Sequence, residues 1–516
     1  MKGPSTVGVS LERFEVEFAE PATSAHSSNG PVNAAGSVAQ WFAEKFPQLP
    51  GEFGDAVLEE PDKSGRMVVC DLNQSFFAAA LGENGSSEAP TVFIPAENRF
   101  WTYSPEEGVF IEQREAALLT QLSRLLLEAA RANGDAITQR LQFGFRDSAS
   151  LAGVLKHAQG LLAKPHDFFD CGLTEFIPCR NGMLRLSDKE LLCFSPSYRR
   201  RNKLGVAFDP AAKCPLFLDT LMRPALDPDE LDLLQRWCGL ALIGENLAQR
   251  ILLLSGTAGG GKGTLIRVLL GVIGAGNVGA LRTQLLGERF EMGRFLGKSL
   301  LYGADVSDDF LNHRGASMLK ALTGGDPVTL EFKNSNEAPG MVCKFNVVVT
   351  CNSRLTVHLE GDTSAWRRRL AIIQYRKQKP ASIIADLSEQ ILAQEASGVL
   401  NWMLTGLEKI RADGWQLNLT AGQQKLVDDL LLESESHTVF IRESLVREKE
   451  AQLTVADCYA GYVESCNERG WRALTRNKFG AAIGDAIVHQ FGITPRNDIS
   501  DDNGKLQRGW KGIRIQ

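Results

Sequence analysis

Residues 251–264 read ILLLSGTAGGGKGT, and no other stretch limits the possible folds so sharply. An apolar strand ends at Ser255. Gly256 to Lys262 then carry the spacing G-x-x-x-x-G-K, and an apolar helix (LIRVLLGVIG) follows. Gly256, Gly259, Gly260, Gly261 and Gly263 let successive backbone N–H groups turn toward one anion. The helix N-terminus adds its partial positive charge. Lys262 is placed to reach the β- and γ-phosphates of a nucleotide, and a hydroxyl to ligate Mg²⁺. Gly263 stands where a Ser or Thr is usual, so Thr264, one place later, is the candidate ligand. The expected cofactors are ATP and Mg²⁺.

Four apolar runs accompany this loop between residues 250 and 377: ILLLS at 251, SLLYGA at 299, FNVVVTC at 345 and LAIIQY at 370. Each has the length of a strand buried on both faces of a parallel sheet. A further strand is expected near 277–281. Ligands of such sheets sit at the carboxyl ends of the strands, which makes the residues there candidates. Asp305 follows SLLYGA and would hold Mg²⁺ directly or through water, with Asp308 and Asp309 sharing the task of orienting the attacking water. Asn352 follows FNVVVTC, and its amide can hydrogen-bond a γ-phosphate or the water. Arg367, Arg368 and Arg369 stand just before the last run. They read either as a surface basic cluster or as an arginine finger acting on a neighbouring subunit's nucleotide.

Composition sets limits. A chain of 516 residues with 44% hydrophobic and 23% charged residues is ordinary for a globular protein. A net charge of −6 means that any nucleic-acid contact must use local basic patches. The N-terminus has no apolar core of a secretory signal, and no run of about 18 apolar residues exists, so no membrane span is expected. The ten cysteines contain no C-x-x-C pair and read as reduced thiols of a cytoplasmic protein. Scattered histidines support no metal site.

The chain divides into blocks. Residues 1–95 have no assigned role, and the polar stretch 20–38 reads as a linker. Residues 96–245 are expected to form a mixed, mostly helical domain, with helical periodicity over 112–163 and an Asn181-Gly182 turn between strand-like runs. An Asp-Pro helix start at 227 leads to the nucleotide-binding core, 246–385. A helical connection spans 386–430. Residues 431–516 combine two helices with a hairpin around Asp502-Asn503-Gly504, which suggests a winged helix able to dock on DNA or on protein. Thr475 is placed to cap the second of these helices.

The order of these features resembles the superfamily 3 helicases, in the branch found in phage, satellite and large DNA virus replication proteins. The matching elements are GTAGGGKGT at 256–264, the strand ending in Asp305, LKALTGGD at 319–326, Asn352 and WRRRLAIIQY at 366–375. FDPAAKCPLFLDTLM at 208–222 resembles the helical segment preceding the ATPase in that branch. The resemblance implies an α/β fold with an AAA+ core, a ring that is usually a hexamer, and translocation on single-stranded or forked DNA in a bacterial host. It implies phosphate binding by Lys262, Mg²⁺ binding by Thr264 and Asp305, a sensor at Asn352 and a finger at Arg368 or Arg369. It places a channel hairpin at 328–345, with Lys333 and Lys344 on DNA phosphates and Asn334 and Asn336 near the tip. No primase activity is expected from residues 1–95, which serve assembly, loading or partner binding. Two other readings stay open: a ring-forming initiator or regulatory ATPase that does not unwind DNA, and a small-molecule nucleotide kinase.

Overall fold

Five short apolar segments assemble into one parallel sheet, and everything that positions the candidate site hangs on it. They are β1 (Ile251–Gly256), β2 (Val278–Ala280), β3 (Leu300–Gly303), β4 (Asn346–Cys351) and β5 (Leu370–Tyr375). The order is β2-β3-β4-β1-β5, and every neighbouring pair is parallel. The computed structural model describes residues 37–65, 67–83, 89–133, 148–170, 172–256, 258–307, 310–312, 315–331, 340–352, 363–376, 384–500 and 504–516. The expected linker lies outside them except for its last two residues, and Val38 already opens the helix Val38–Lys45.

The sheet is covered on both faces, as near-continuous apolar runs require. Leu252 and Leu254 of β1, Val348 of β4 and Ile373 of β5 share one core with the helices α1 (Pro228–Leu242), α2 (Lys262–Ile273) and, later in the chain, Leu387–Ala412. Ile251, Leu253, Val347, Val349 and Ile372 alternate onto the other face. There they meet α3 (Ala316–Gly324), α4 (Thr363–Arg369) and Ala421–Ser434. Asp227 caps α1 in a capping box with Glu230, and Pro228 fills the first turn. The 26-residue helix Leu387–Ala412 is a structural layer on α1 and α2, so the segment expected as a connection supplies part of the central core.

That same core takes in Ile177, Leu184, Leu204, Val206, Phe217 and Leu221, which precede the expected boundary at 246. A second core joins Phe42, Phe76 and Phe77 to Phe100, Leu118, Leu122, Leu126 and Val154. The expected break at residue 95 therefore falls inside a packed unit. Its rings meet edge to face, as between Phe42 and Phe77 at 5.1 Å. Residues 96–245 are mixed in composition. Helices Glu115–Ala132 and Ser148–Leu161 stand beside two three-stranded antiparallel sheets. The hairpin at 176–185 turns through Arg180 and Asn181, and Gly182 already pairs with Cys179.

The C-terminal module has its own core. It runs helix Ser436–Ser444, strand Leu445–Thr454, helices Val455–Glu468 and Arg476–Phe491, then strands Arg496–Ser500 and Leu506–Ile515. Tyr462 stacks on Phe479 at 4.6 Å in its centre. Thr454 caps the first of the paired helices, its Oγ1 accepting from Asp457 N at 3.1 Å. Thr475 occupies the equivalent position before the second, but its side chain accepts no capping bond. Of the expected Asp-Asn-Gly turn only Gly504 is described.

Candidate active site

The loop after β1 leads to α2 on one face of the sheet, while the loop after β4 leads toward α4 on the other. Adjacent strands whose continuations part in this way open a crevice at their carboxyl ends, the usual ligand position in such sheets. Gly256 ends β1, and Asn352 directly follows β4.

Gly256 has φ +138°, and an added Cβ would lie 2.4 Å from the Tyr375 carbonyl oxygen, so only glycine fits where β1 meets β5. Gly259 and Gly261 also have positive φ, at 83° and 96°. Gly261 takes the N-cap position of α2, and Lys262 is the first helical residue. Lys262 is 4% exposed. Its Nζ donates to the Gly256 carbonyl at 2.7 Å and lies 5.8 Å from the centre of the Tyr375 ring. Burial pulls its pKa down, and the negative charge of Asp305 pulls the other way. A buried ammonium folded onto the loop that it closes fits a site built for an anion. Thr264 follows in the first turn of α2, half-buried, and Gly263 is exposed.

Asp305 stands just past β3 with φ +45°, a left-handed conformation uncommon outside glycine. Two bonds from β4 hold it there. Its N–H donates to Thr350 Oγ1 at 2.9 Å, and the next residue, Val306, donates to the Thr350 carbonyl at 2.9 Å. Asn352 Nδ2 donates to Asp305 Oδ1 at 3.0 Å. The structure thus brings together Lys262, Asp305 and Asn352, as expected from the strand ends. Asp308 and Asp309 lie outside the described residues.

Sequence reasoning missed Thr350 and Tyr375. Thr350 is a lone hydroxyl in an apolar run, and that anomaly was the available signal. Tyr375 gave none, because its role depends on β5 lying beside β1.

The segment LKALTGGD becomes the end of α3 and its exit. Leu319, Leu322 and Thr323 are fully buried, Thr323 Oγ1 donates to the Leu319 carbonyl at 2.9 Å, and Gly325 ends the helix with φ +84°. The three arginines of α4 separate by environment. Arg369 is 5% exposed; an added Cβ at Gly324 would lie 3.1 Å from Arg369 Nη2 and 3.2 Å from Asp326 Oδ2. Arg367 pairs with Asp428 at 3.1 Å. Arg368 is exposed. Of the two residues expected as a finger, Arg368 is therefore exposed and Arg369 interior.

Strands Pro327–Thr329 and Gly340–Val342 pair antiparallel, as the expected hairpin requires. Its tip, with Lys333, Asn334 and Asn336, lies outside the described residues. Lys344 sits at the root, where it pairs with Glu245, and this partner raises its pKa. It lines a cavity of about 140 Å³ with Asp170, Arg201, Asn202 and Ser299, at the amino ends of the strands. No group of metal-ligating side chains is found among the described residues, and no helix among them is long and apolar enough to cross a membrane.

Comparison with known proteins gives two family matches. Residues 97–223 match a family described as D5 N terminal like. Residues 254–369 match a family of unknown function, DUF5906. No curated protein matches the chain. Among solved structures, the A-form apo structure of the NrS-1 C-terminal region is 12% identical with a TM-score of 0.46, covering 83% of this chain and 96% of that one. A second A-form apo structure of that region is 10% identical with a TM-score of 0.45, covering 85% and 100%. A third apo structure is 10% identical with a TM-score of 0.44, covering 83% and 96%. The chain is therefore similar, over the region before its parallel sheet, to the D5 N-terminal-like family, and over most of the sheet itself to a family whose function is unassigned.

Proposed function

We propose that this chain is an ATP-dependent DNA helicase or translocase of the superfamily 3 type. It forms a ring of six subunits and acts in the replication of a phage or mobile element. One observation carries the reading: buried Lys262 at the start of α2 and the Asp305–Asn352 pair stand together past the carboxyl ends of β1, β3 and β4, where the Asp305 charge acts on Lys262. The D5 N-terminal-like match over 97–223 supports the replication context.

In this reading the backbone N–H groups of residues 258–263 and Lys262 Nζ bind the nucleotide phosphates. Lys262 gives up the Gly256 carbonyl for them, which relieves the cost of a buried ammonium. Mg²⁺, held by Thr264 and Asp305, would neutralise charge on the phosphates. Asn352 orients Asp305 and the attacking water. Arg368 stabilises transition-state charge in the neighbouring subunit. The hairpin between α3 and β4 faces DNA. The C-terminal module is a winged helix.

The test is ATP hydrolysis with and without single-stranded DNA across a protein concentration series. The reading expects stimulation by DNA and specific activity that rises cooperatively with concentration. Flat, DNA-independent turnover would overturn it in favour of a nucleotide kinase. DNA-stimulated turnover without unwinding of a forked duplex would favour the initiator.

A further inference from the structure

The six residues before β1, Glu245–Arg250, make side-chain bonds to three separate elements. Asn246 is 2% exposed. Its N–H donates to the Lys344 carbonyl at 2.8 Å, and its Nδ2 donates to the Phe345 carbonyl at 3.0 Å, both at the hairpin root where β4 begins. The same side chain closes its own loop, with Nδ2 donating to the Arg250 carbonyl at 2.9 Å and Oδ1 accepting from Arg250 N at 3.2 Å. Gln249, held at φ +53°, donates from Nε2 to the Gly324 carbonyl at 3.1 Å, at the last residue of α3. Arg250 donates from Nη1 to the carbonyl of Arg367 at 3.2 Å, in the last turn of α4, and to that of Leu370 at 2.8 Å, the first residue of β5. Glu245 adds its ion pair to Lys344.

The last carbonyls of a helix have no intrahelical partner. Here one loop supplies donors to the ends of two helices and to the start of a strand. That loop is continuous with the strand that carries the phosphate loop. The elements it grips are the hairpin root, the end of LKALTGGD and the arginine helix. We infer that Glu245–Arg250 is a clip whose residues Asn246, Gln249 and Arg250 position the hairpin and Arg368 relative to β1. Its consequence for turnover rests on the ATPase reading above. In that role Arg250 is a positioning residue. It touches no nucleotide and acts through the helix that bears Arg368.

The test uses the full chain and two near-isosteric variants that keep packing and remove the donors, Arg250→Met and Gln249→Met. Peptide-resolved amide exchange should accelerate about tenfold over 363–372 in the first and over 319–327 in the second, with 262–273 unchanged. Small misplacement of a catalytic group costs about 10²-fold. Arg250→Met should therefore cut kcat by about that factor while nucleotide affinity changes less than about twofold, and Arg250→Lys should recover part of it. Adding Arg250→Met to Arg368→Ala should cost nothing more, because both act through one group. Unchanged exchange over 363–372, or additive losses of kcat in the double variant, would overturn the clip. If the native protein hydrolyses no ATP, the ATPase reading fails and the exchange arm alone decides the clip. Asn246→Ala removes a fully buried side chain; should it not fold, the two methionine variants still decide.

Discussion

Two glycines seven residues apart should respond to the same substitution with opposite signs. At Gly256 an alanine Cβ would lie 2.4 Å from the Tyr375 carbonyl oxygen and 2.8 Å from Tyr375 Cβ, at φ +138°. The carbonyl belongs to β5 and is fixed by the pairing of Tyr375 with Gly256, so it cannot withdraw without opening the sheet edge. Backbone strain of about 1–3 kcal/mol and overpacking of about 1–3 kcal/mol give a cost of about 2–6 kcal/mol for Gly256→Ala. At Gly263 nothing lies within 4 Å of an added Cβ, and the residue is in the first turn of α2. Gly263→Ala should therefore stabilise by about 0.5–1 kcal/mol through lost chain entropy. In calorimetry this corresponds to a fall of roughly 5–20 °C for Gly256→Ala and a rise of roughly 1–4 °C for Gly263→Ala in the transition of the sheet unit. Shifts of the same sign and size in both variants would refute the placement of the loop. Gly263→Ser carries the same steric freedom and adds a hydroxyl directly after Lys262. It should keep both the fold and nucleotide binding.

Three further outcomes are expected. Mixing Arg368→Ala with Lys262→Ala protomers should restore part of the ATP hydrolysis that each lacks alone, since one mixed interface has both groups intact and a finger contributes about 10³–10⁵-fold; no rescue in assemblies that demonstrably form would remove Arg368 from that role. Burial holds the pKa of His437 below its ordinary value of 6.5. The unfolded chain therefore takes up a proton that the folded module refuses, and stability is present above pH 6.5 and falls as pH drops toward the folded value; His437→Gln should flatten that slope in thermal melts taken as pH falls below 6.5. Burial pushes the thiols of Cys179, Cys214, Cys343 and Cys458 up to about 12, whereas Cys193 is exposed. Alkylation at pH 8 followed by peptide mapping should modify Cys193 in the native protein and these four only after denaturant is added.

Much of the sheet was legible because each strand is an apolar run of the right length bounded by polar residues. The expected segments at 251, 299, 345 and 370 became β1, β3, β4 and β5, and the short one near 277–281 became β2. The candidate site residues were named by the same logic, from the positions that follow each strand. Three neighbouring arginines were indistinguishable in sequence, because spacing along a seven-residue helix does not say which side packs inward. Arg369 packs inward, 5% exposed and close to Gly324 and Asp326. The helix Leu387–Ala412 read as a connection because its apolar positions gave no hint of their partner, α1, some 150 residues earlier. The bonds made by residues 245–250 were not legible, because they go mostly to main-chain carbonyls, which leave no complementary pattern elsewhere in the chain.

The contact between Leu221 and Gly261 bears on how the protein can be dissected. An added Cβ at Gly261 would lie 3.0 Å from Leu221 Cδ1, so a residue from the first matched stretch rests against the glycine-rich loop of the second. Ile177, Leu204, Val206 and Phe217 extend this shared surface under α2. An expression fragment begun near residue 224, in the gap between the two matched stretches, would expose that whole apolar face to water and should aggregate. A piece carrying the sheet keeps that face covered only if it starts upstream of Phe176. The gap between the two matches is a seam in the sequence record, and a knife placed there would pass through the middle of one folded body.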